Sequence, residues 1–236
     1  MIKPNVRATF GRREAEILVA LAGPGGEERL REQGMDALLD DAVVARRLLQ
    51  TGAVNQTPAP LVFYLLVRHA LLQREIADQR LADYTTALLL EFGRAGSAER
   101  ICEGDPARFT YLADILLELE RARGEREFLL RAHLGNLALW MAGIFPDRVT
   151  YRVQRRGAPP LSYYDAMGAA GFRGAAATSL ALQHGLGDVF IQAADQFRNL
   201  RVALNTLSDV LFFPQPRDRD ERLLREIKDR FELGLP

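Results

Sequence analysis

The chain has 236 residues, of which 48% are apolar and 26% charged, a composition able to bury a sizeable core and far from that of disordered chains. Its 31 basic and 31 acidic residues cancel, so overall charge points neither to nucleic acid nor to a membrane surface, and neither is expected as a partner. All but Lys3 and Lys228 of the basic residues are arginine, which a GC-rich coding sequence explains as readily as function does. A lone cysteine, Cys102, excludes an intramolecular disulfide and a cysteine-based zinc site and fits a reducing compartment. The N-terminus becomes charged before any apolar run develops, unlike a signal peptide. The longest unbroken apolar run, 61–67, is far short of the ~20 residues of a membrane span. A cytoplasmic protein is expected.

Helical spacing dominates and strand-like alternation is nearly absent. Residues 12–22 read as a first helix ended by Gly23-Pro24-Gly25-Gly26, and 36–50 as a second with an apolar stripe through Leu38, Leu39, Ala42, Val43 and Leu49. The breaker-rich stretch 51–60 separates an N-terminal helical segment, 1–57, from a main helical domain, 58–213. That domain opens with 60–73, apolar on nearly every side and so suited to the middle of a core. Asp78 caps a helix running to Phe92 with Gly93 as its stop. Asp105-Pro106 reads as the start of a helix carrying Phe109, Leu112, Leu116 and Leu119 and stopping at Gly124.

Residues 127–145 are again apolar around most of the circumference, and Pro146 ends them. A short helical turn through Tyr151 leads to the loop 155–160. Ser162 and Asp165 read as a variant capping box for the next helix, whose Gly168, Gly171 and Gly174 cost about 1 kcal/mol each and imply close backbone approach or a kink. Along 188–213, Phe190, Phe197, Leu204 and Leu211 repeat every seven residues, with Ala193, Leu200 and Leu207 in the second seam position, as in a long helix packed along others. After Pro214 and Pro216, residues 214–236 hold a C-terminal amphipathic helix with Leu223, Leu224, Ile227 and Phe231 on one stripe. The fold expected is all-α, a bundle of roughly nine helices with the heptad helix near its C-terminal end.

His69, His133 and His184 fall on three predicted helices, and no glutamate stands three residues before any of them, so no metal and no other cofactor is expected. Arg131, His133 and Asn136 interrupt one apolar helix, and Arg68 and His69 another. Buried polar groups need partners or a solvated cavity, so these residues either line one polar pocket or serve as structural ion pairs with Asp83, Asp114 or Glu118. Arg155 and Arg156, with Arg148 and Arg152 before them, form the strongest basic concentration. Between Arg121 and Arg173, nine arginines face four acidic residues, whereas ten acidic residues face four arginines between Glu75 and Glu120. The two stretches can pair with each other, or the arginines, with Tyr163 and Tyr164 beside a helix N-terminus, can hold an anion.

The segments V-R-H-A-L-L (67–72), L-R-A-H-L-G-N (130–136), G-I-F-P (143–146), R-R-G-A-P (155–159), Tyr163-Tyr164 and R-x-A-L-N (201–205) together resemble a family of bacterial all-helical proteins over about residues 60 to 212. That resemblance implies that the polar motifs belong together and brings no activity, substrate or catalytic residue. Two functional readings follow from the residues. The favoured one is a non-enzymatic protein that forms a homodimer or other homo-oligomer through an apolar seam containing Phe197, Leu204, Leu211 and Phe231. Its alternative is a binder of, or enzyme acting on, a small anionic ligand held by Arg68, His69, Arg131, His133, Asn136, Arg155, Arg156, Tyr163 and Tyr164.

Overall fold

The structure is a computed structural model that describes residues 1–211; the expected 214–236 helix and Phe231 lie outside the described residues, as does the Leu211 side chain. Within them the chain forms thirteen α-helices and two short 3-10 turns, with no strand. The excess over nine arises where the chain breaks into short pieces. The 36–50 stretch divides into α3 (Met35–Leu39) and α4 (Ala42–Gln50), because Asp41 turns out of the helix to accept a hydrogen bond from Val43 N at 2.7 Å. Preceding them are α1 (Arg12–Ala22) and α2 (Gly26–Gln33). Thr178 likewise caps a five-residue α11 (Ser179–Gln183).

Two expected helix starts are misplaced. Asp105-Pro106 forms a turn in which Asp105 Oδ1 accepts from Ala107 N at 2.9 Å, and helix α7 (Leu112–Leu119) begins only after it. The other, α10 (Leu161–Ala176), follows Pro160 without a side-chain cap. Asp165 is drawn away from capping by Arg201, whose Nε donates to it at 2.8 Å.

At the centre stands α8 (Gly124–Ile144), buried on nearly all sides, as its continuous apolar sequence requires. The other all-round apolar helix, α5 (Ala59–Leu72), lies beside α6 (Gln79–Phe92) in the same core. That core runs without interruption from Leu18 near the N-terminus to Leu207. Arg68 fastens the N-terminal helices to it: its Nε and Nη2 donate to the two oxygens of Asp40 at 2.7 and 2.9 Å, and its Nη1 donates to Ala77 O at 2.8 Å. No single helix among the described residues is long and apolar enough to cross a membrane.

The glycine spacing of α10 is explained by its contact with α8. A Cβ on Gly171 would lie 2.8 Å from both Arg131 O and Gly135 N, so the two backbones touch there. Gly135 in turn receives the ring of Phe172, where a Cβ would stand 2.6 Å from the ring edge. The helices interlock through missing side chains.

The heptad stretch divides at Gln196 into α12 (Gly187–Asp195) and α13 (Phe197–Leu211). Its seam faces inward. Phe197 sits over Gly168 of α10 and Leu204 over Gly143 of α8, both almost fully buried in the chain's own core. This corrects the expectation that Phe197 and Leu204 form an oligomer surface: each fills the space left by a glycine of a neighbouring helix.

At Phe145 the chain bends by 89° from α8 into α9 (Pro146–Arg156). Pro146 has no N–H to continue the ladder, so the last carbonyls of α8 need other donors. α13 supplies them. Asn205 Nδ2 donates to Ala142 O at 2.8 Å and Gly143 O at 2.7 Å, and Ser208 Oγ donates to Ile144 O at 2.7 Å. Arg201, 1% exposed, orients this amide by donating Nη1 to Asn205 Oδ1 at 3.1 Å, which leaves Nδ2 facing the carbonyls. The G-I-F-P and R-x-A-L-N segments are thus two halves of one joint.

Candidate functional site

One face of α8 carries Leu129, Ala132, His133 and Asn136, spaced three, four and seven apart so that they share a side. Opposite them α6 presents Tyr84, Ala87 and Glu91, spaced three and seven apart. Between the two faces, the loop that follows α6 and the first residues of the chain close a cavity of about 580 Å³. Its floor is polar and its walls are apolar, with Phe92, Leu129, Ile101, Ile2 and Phe190 among the wall residues.

The floor is held in place from behind. Tyr84, wholly buried, packs edge-on against Phe190 and Phe172 at 5.6 and 6.1 Å between ring centres. Its hydroxyl donates to Asn136 Oδ1 at 2.7 Å. That bond sets the carboxamide with its oxygen toward Tyr84 and leaves Nδ2 as the donor available to the cavity. One turn earlier, His133 stands between Phe92 and Phe109, at 5.7 and 6.0 Å. Its Nε2 is buried and has no hydrogen-bond partner among the described residues. Burial pushes the imidazole down to about 4, a fall that the Asp105 carboxylate only partly offsets, so the ring is neutral at pH 7.

The mouth is more cationic than anionic. Lys3, Arg94 and Arg100 line it, against Glu91 and Glu103. Arg94 is engaged with Glu91 at 3.1 Å, whereas Arg100 has its Nε buried without a partner among the described residues. Cys102, exposed, lies at the same rim.

Of the expected pocket residues, only His133 and Asn136 line this cavity. Arg68 is the structural fastener to Asp40. His69 lies across the core in an apolar groove, 3.1 Å from Gln73, and burial together with nearby Arg46 lowers its pKa. Arg131 turns along its own helix to Glu127 at 2.8 Å. Arg155 and Arg156 are exposed at the end of α9, with Arg155 over the ring of Tyr151. Tyr163 and Tyr164 pack edge-on at the start of α10, Tyr164 buried. The ion-pair partners also differ from those named: Asp83 accepts from Arg7 N at 2.8 Å and Glu118 pairs with Arg126.

The oppositely charged stretches do meet. Arg126 bridges Asp105 and Glu118, and Arg152 lies over the ring of Tyr111. Among the described residues no group of three or more His, Cys, Asp and Glu side chains could hold a metal ion. Tyr84 and Arg100 were not singled out by sequence, since a tyrosine on a buried stripe and an arginine in a loop carry no distinguishing pattern. Comparisons of the chain with protein-family models, with curated proteins and with solved structures find no match.

Proposed function

We propose that the chain binds a small organic acid in the cavity above His133 and Asn136. The observation that carries this reading is the pair His133 and Asn136, which line the cavity together, His133 with a buried Nε2 that has no partner among the described residues. Such a group costs about 1–3 kcal/mol unless something completes it. The Asn136 amide offers a donor to a ligand carboxylate, with the neutral His133 ring one helical turn away on the same face. The apolar walls suit an aromatic or aliphatic body, and the cationic mouth favours an acid over its neutral analogue. A volume of about 580 Å³ falls within the usual range for small-molecule sites.

Self-association, the other reading, loses Phe197 and Leu204 from its seam because both are internal, while Leu211 and Phe231 lie outside the described side chains.

Thermal-shift and calorimetric titration with a panel of aromatic and medium-chain carboxylates, each paired with its primary amide, tests the site. At a hundredfold excess over Kd, a ligand should stabilise the fold by about 2.7 kcal/mol. His133→Leu combined with Asn136→Leu should leave the protein folded and remove that stabilisation. Equal binding of acids and amides, or undiminished binding by the double variant, would reject the proposal.

A further inference from the structure

Two residues bordering the cavity carry buried nitrogens without partners among the described residues, one on the floor and one at the mouth. On the floor it is His133, one helical turn from the Asn136 amide. At the mouth it is Arg100, whose buried Nε meets no acceptor and whose guanidinium forms no ion pair among the described residues. The floor is neutral and offers a hydrogen bond, whereas the mouth offers a full positive charge.

Arg100 lacks a counterion because the acids around it serve other groups. Glu91 accepts from Arg94 at 3.1 Å and from Ser97 Oγ at 2.7 Å, Glu99 from Arg108 at 3.3 Å, and Asp105 from Arg126 at 3.1 Å. Glu103 is exposed and forms no ion pair among the described residues. The other cations of the mouth are better served: Arg94 has Glu91 and a side chain 76% exposed, and Lys3 is exposed to water. Arg100 is partly buried and fixed in place. Its N donates to Ser97 O at 3.2 Å, Glu99 O accepts from Phe109 N at 2.7 Å, and Ile101 is buried in the core. A guanidinium withdrawn from water without an acceptor is costly, and its planar donors match a carboxylate.

Granted the organic-acid site proposed above, we infer that its ligand is a dicarboxylic acid, with one carboxylate at the Asn136 amide and the other held by Arg100 at the mouth. The middle of such a molecule is apolar, as are the walls of the cavity. A monocarboxylate satisfies only one end: seated on the floor it leaves Arg100 uncompensated, and seated on Arg100 it turns an apolar tail toward the Asn136 donor. With Arg94 and Glu91 cancelling, Lys3 and Arg100 outweigh Glu103, so the mouth attracts a second anionic group.

The test is calorimetric titration of the full chain with the linear diacids from succinate to sebacate, each against the monocarboxylate of equal carbon number, at about pH 7, where both acid groups are ionised. The best diacid should bind at least about tenfold tighter than its monocarboxylate. Arg100→Gln should remove that advantage and Arg100→Lys keep part of it, while the ligand-free Arg100→Gln protein melts no lower than the unsubstituted chain, since no native ion pair is lost. A diacid advantage below about twofold, or one that survives Arg100→Gln, would overturn the inference and leave a monocarboxylate site at His133 and Asn136 standing. Binding of no acid would overturn both. Loss of the advantage together with a lower melting temperature of the ligand-free Arg100→Gln and Arg100→Lys proteins would also overturn it, by assigning Arg100 to the fold of its loop.

Discussion

Replacing Asn205 by leucine tests the joint between α8 and α13. The two side chains branch alike and leucine is the larger, so no cavity forms and the loss of hydrogen bonds dominates, with any crowding adding to it. Asn205 Nδ2 is the donor to Ala142 O and Gly143 O, and Oδ1 is an acceptor for Arg201, all within the buried core. Leucine leaves two carbonyls of a helix C-terminus and one guanidinium donor without that partner. Each unsatisfied buried group costs about 1–3 kcal/mol, and partial relaxation of the carbonyls brings the sum to about 3–5 kcal/mol. For a chain of this size, that corresponds to a fall in Tm of roughly 6–20 °C, at about 2–4 °C per kcal/mol. Ser208→Ala removes one donor, to Ile144 O, and should cost only about 1 kcal/mol. Urea denaturation monitored by circular dichroism gives both values. A loss below about 0.5 kcal/mol for Asn205→Leu would refute the argument, because it would mean that the bend at Pro146 satisfies its carbonyls without α13.

Gly171→Ala and Gly174→Ala should move stability in opposite directions. At 171 the new methyl meets α8 backbone and costs about 1–2 kcal/mol net, whereas at 174 it meets only the flexible end of Arg131 and gains up to about 1 kcal/mol, both measurable by thermal melting. Leu204→Glu should unfold the protein rather than dissociate an assembly, because the charge would enter the packing against Gly143; a folded variant by circular dichroism would contradict this placement. His133 makes stability pH-dependent with a defined sign. Its folded pKa, about 4, lies below the unfolded value of about 6.5, so above pH 6.5 the ring is neutral in both states and adds no pH dependence. Between those values only the unfolded chain takes up the proton, and stability falls with pH by up to about 3 kcal/mol, levelling below pH 4. The difference between wild-type and His133→Gln denaturation curves across this range should show that slope.

The fold class was legible because 60–73 and 127–145 are apolar around the whole helix, and such segments have few solutions other than the centre of a helical core. Helix starts were less legible. Asp105-Pro106 has the local chemistry of a cap, yet Asp105 forms a turn and binds Arg126, and Asp165 serves Arg201 instead of the helix end. In each case the competing partner is distant in sequence, and local pattern carries no trace of it. The same limit governs the site. Arg68, His133 and Asn136 look alike as polar residues in apolar helices, but Asp40 completes the first, whereas the latter pair opens on the cavity. Tyr84, which decides how Asn136 points, is 52 residues away. The heptad spacing marked an apolar seam but assigned it to a second copy, because the glycines of α8 and α10 that receive Phe197 and Leu204 are visible only in three dimensions.

The joint between α8 and α13 also fixes which walls of the cavity can yield. α8 is gripped at its C-terminal end by Asn205 and Ser208 and keyed to α10 through Gly171 and Gly135, so moving its floor residues would require breaking both at once. The N-terminal residues and the 93–111 loop are held through Arg7 to Asp83, Asp36 and Gln79, through Asp105 to Arg126, and by short turns and surface ion pairs such as Arg94–Glu91 and Arg108–Glu99. His133 and Asn136 are therefore a stationary floor, and a change in the cavity's shape has to come from the loop and the N-terminal residues that form its other side.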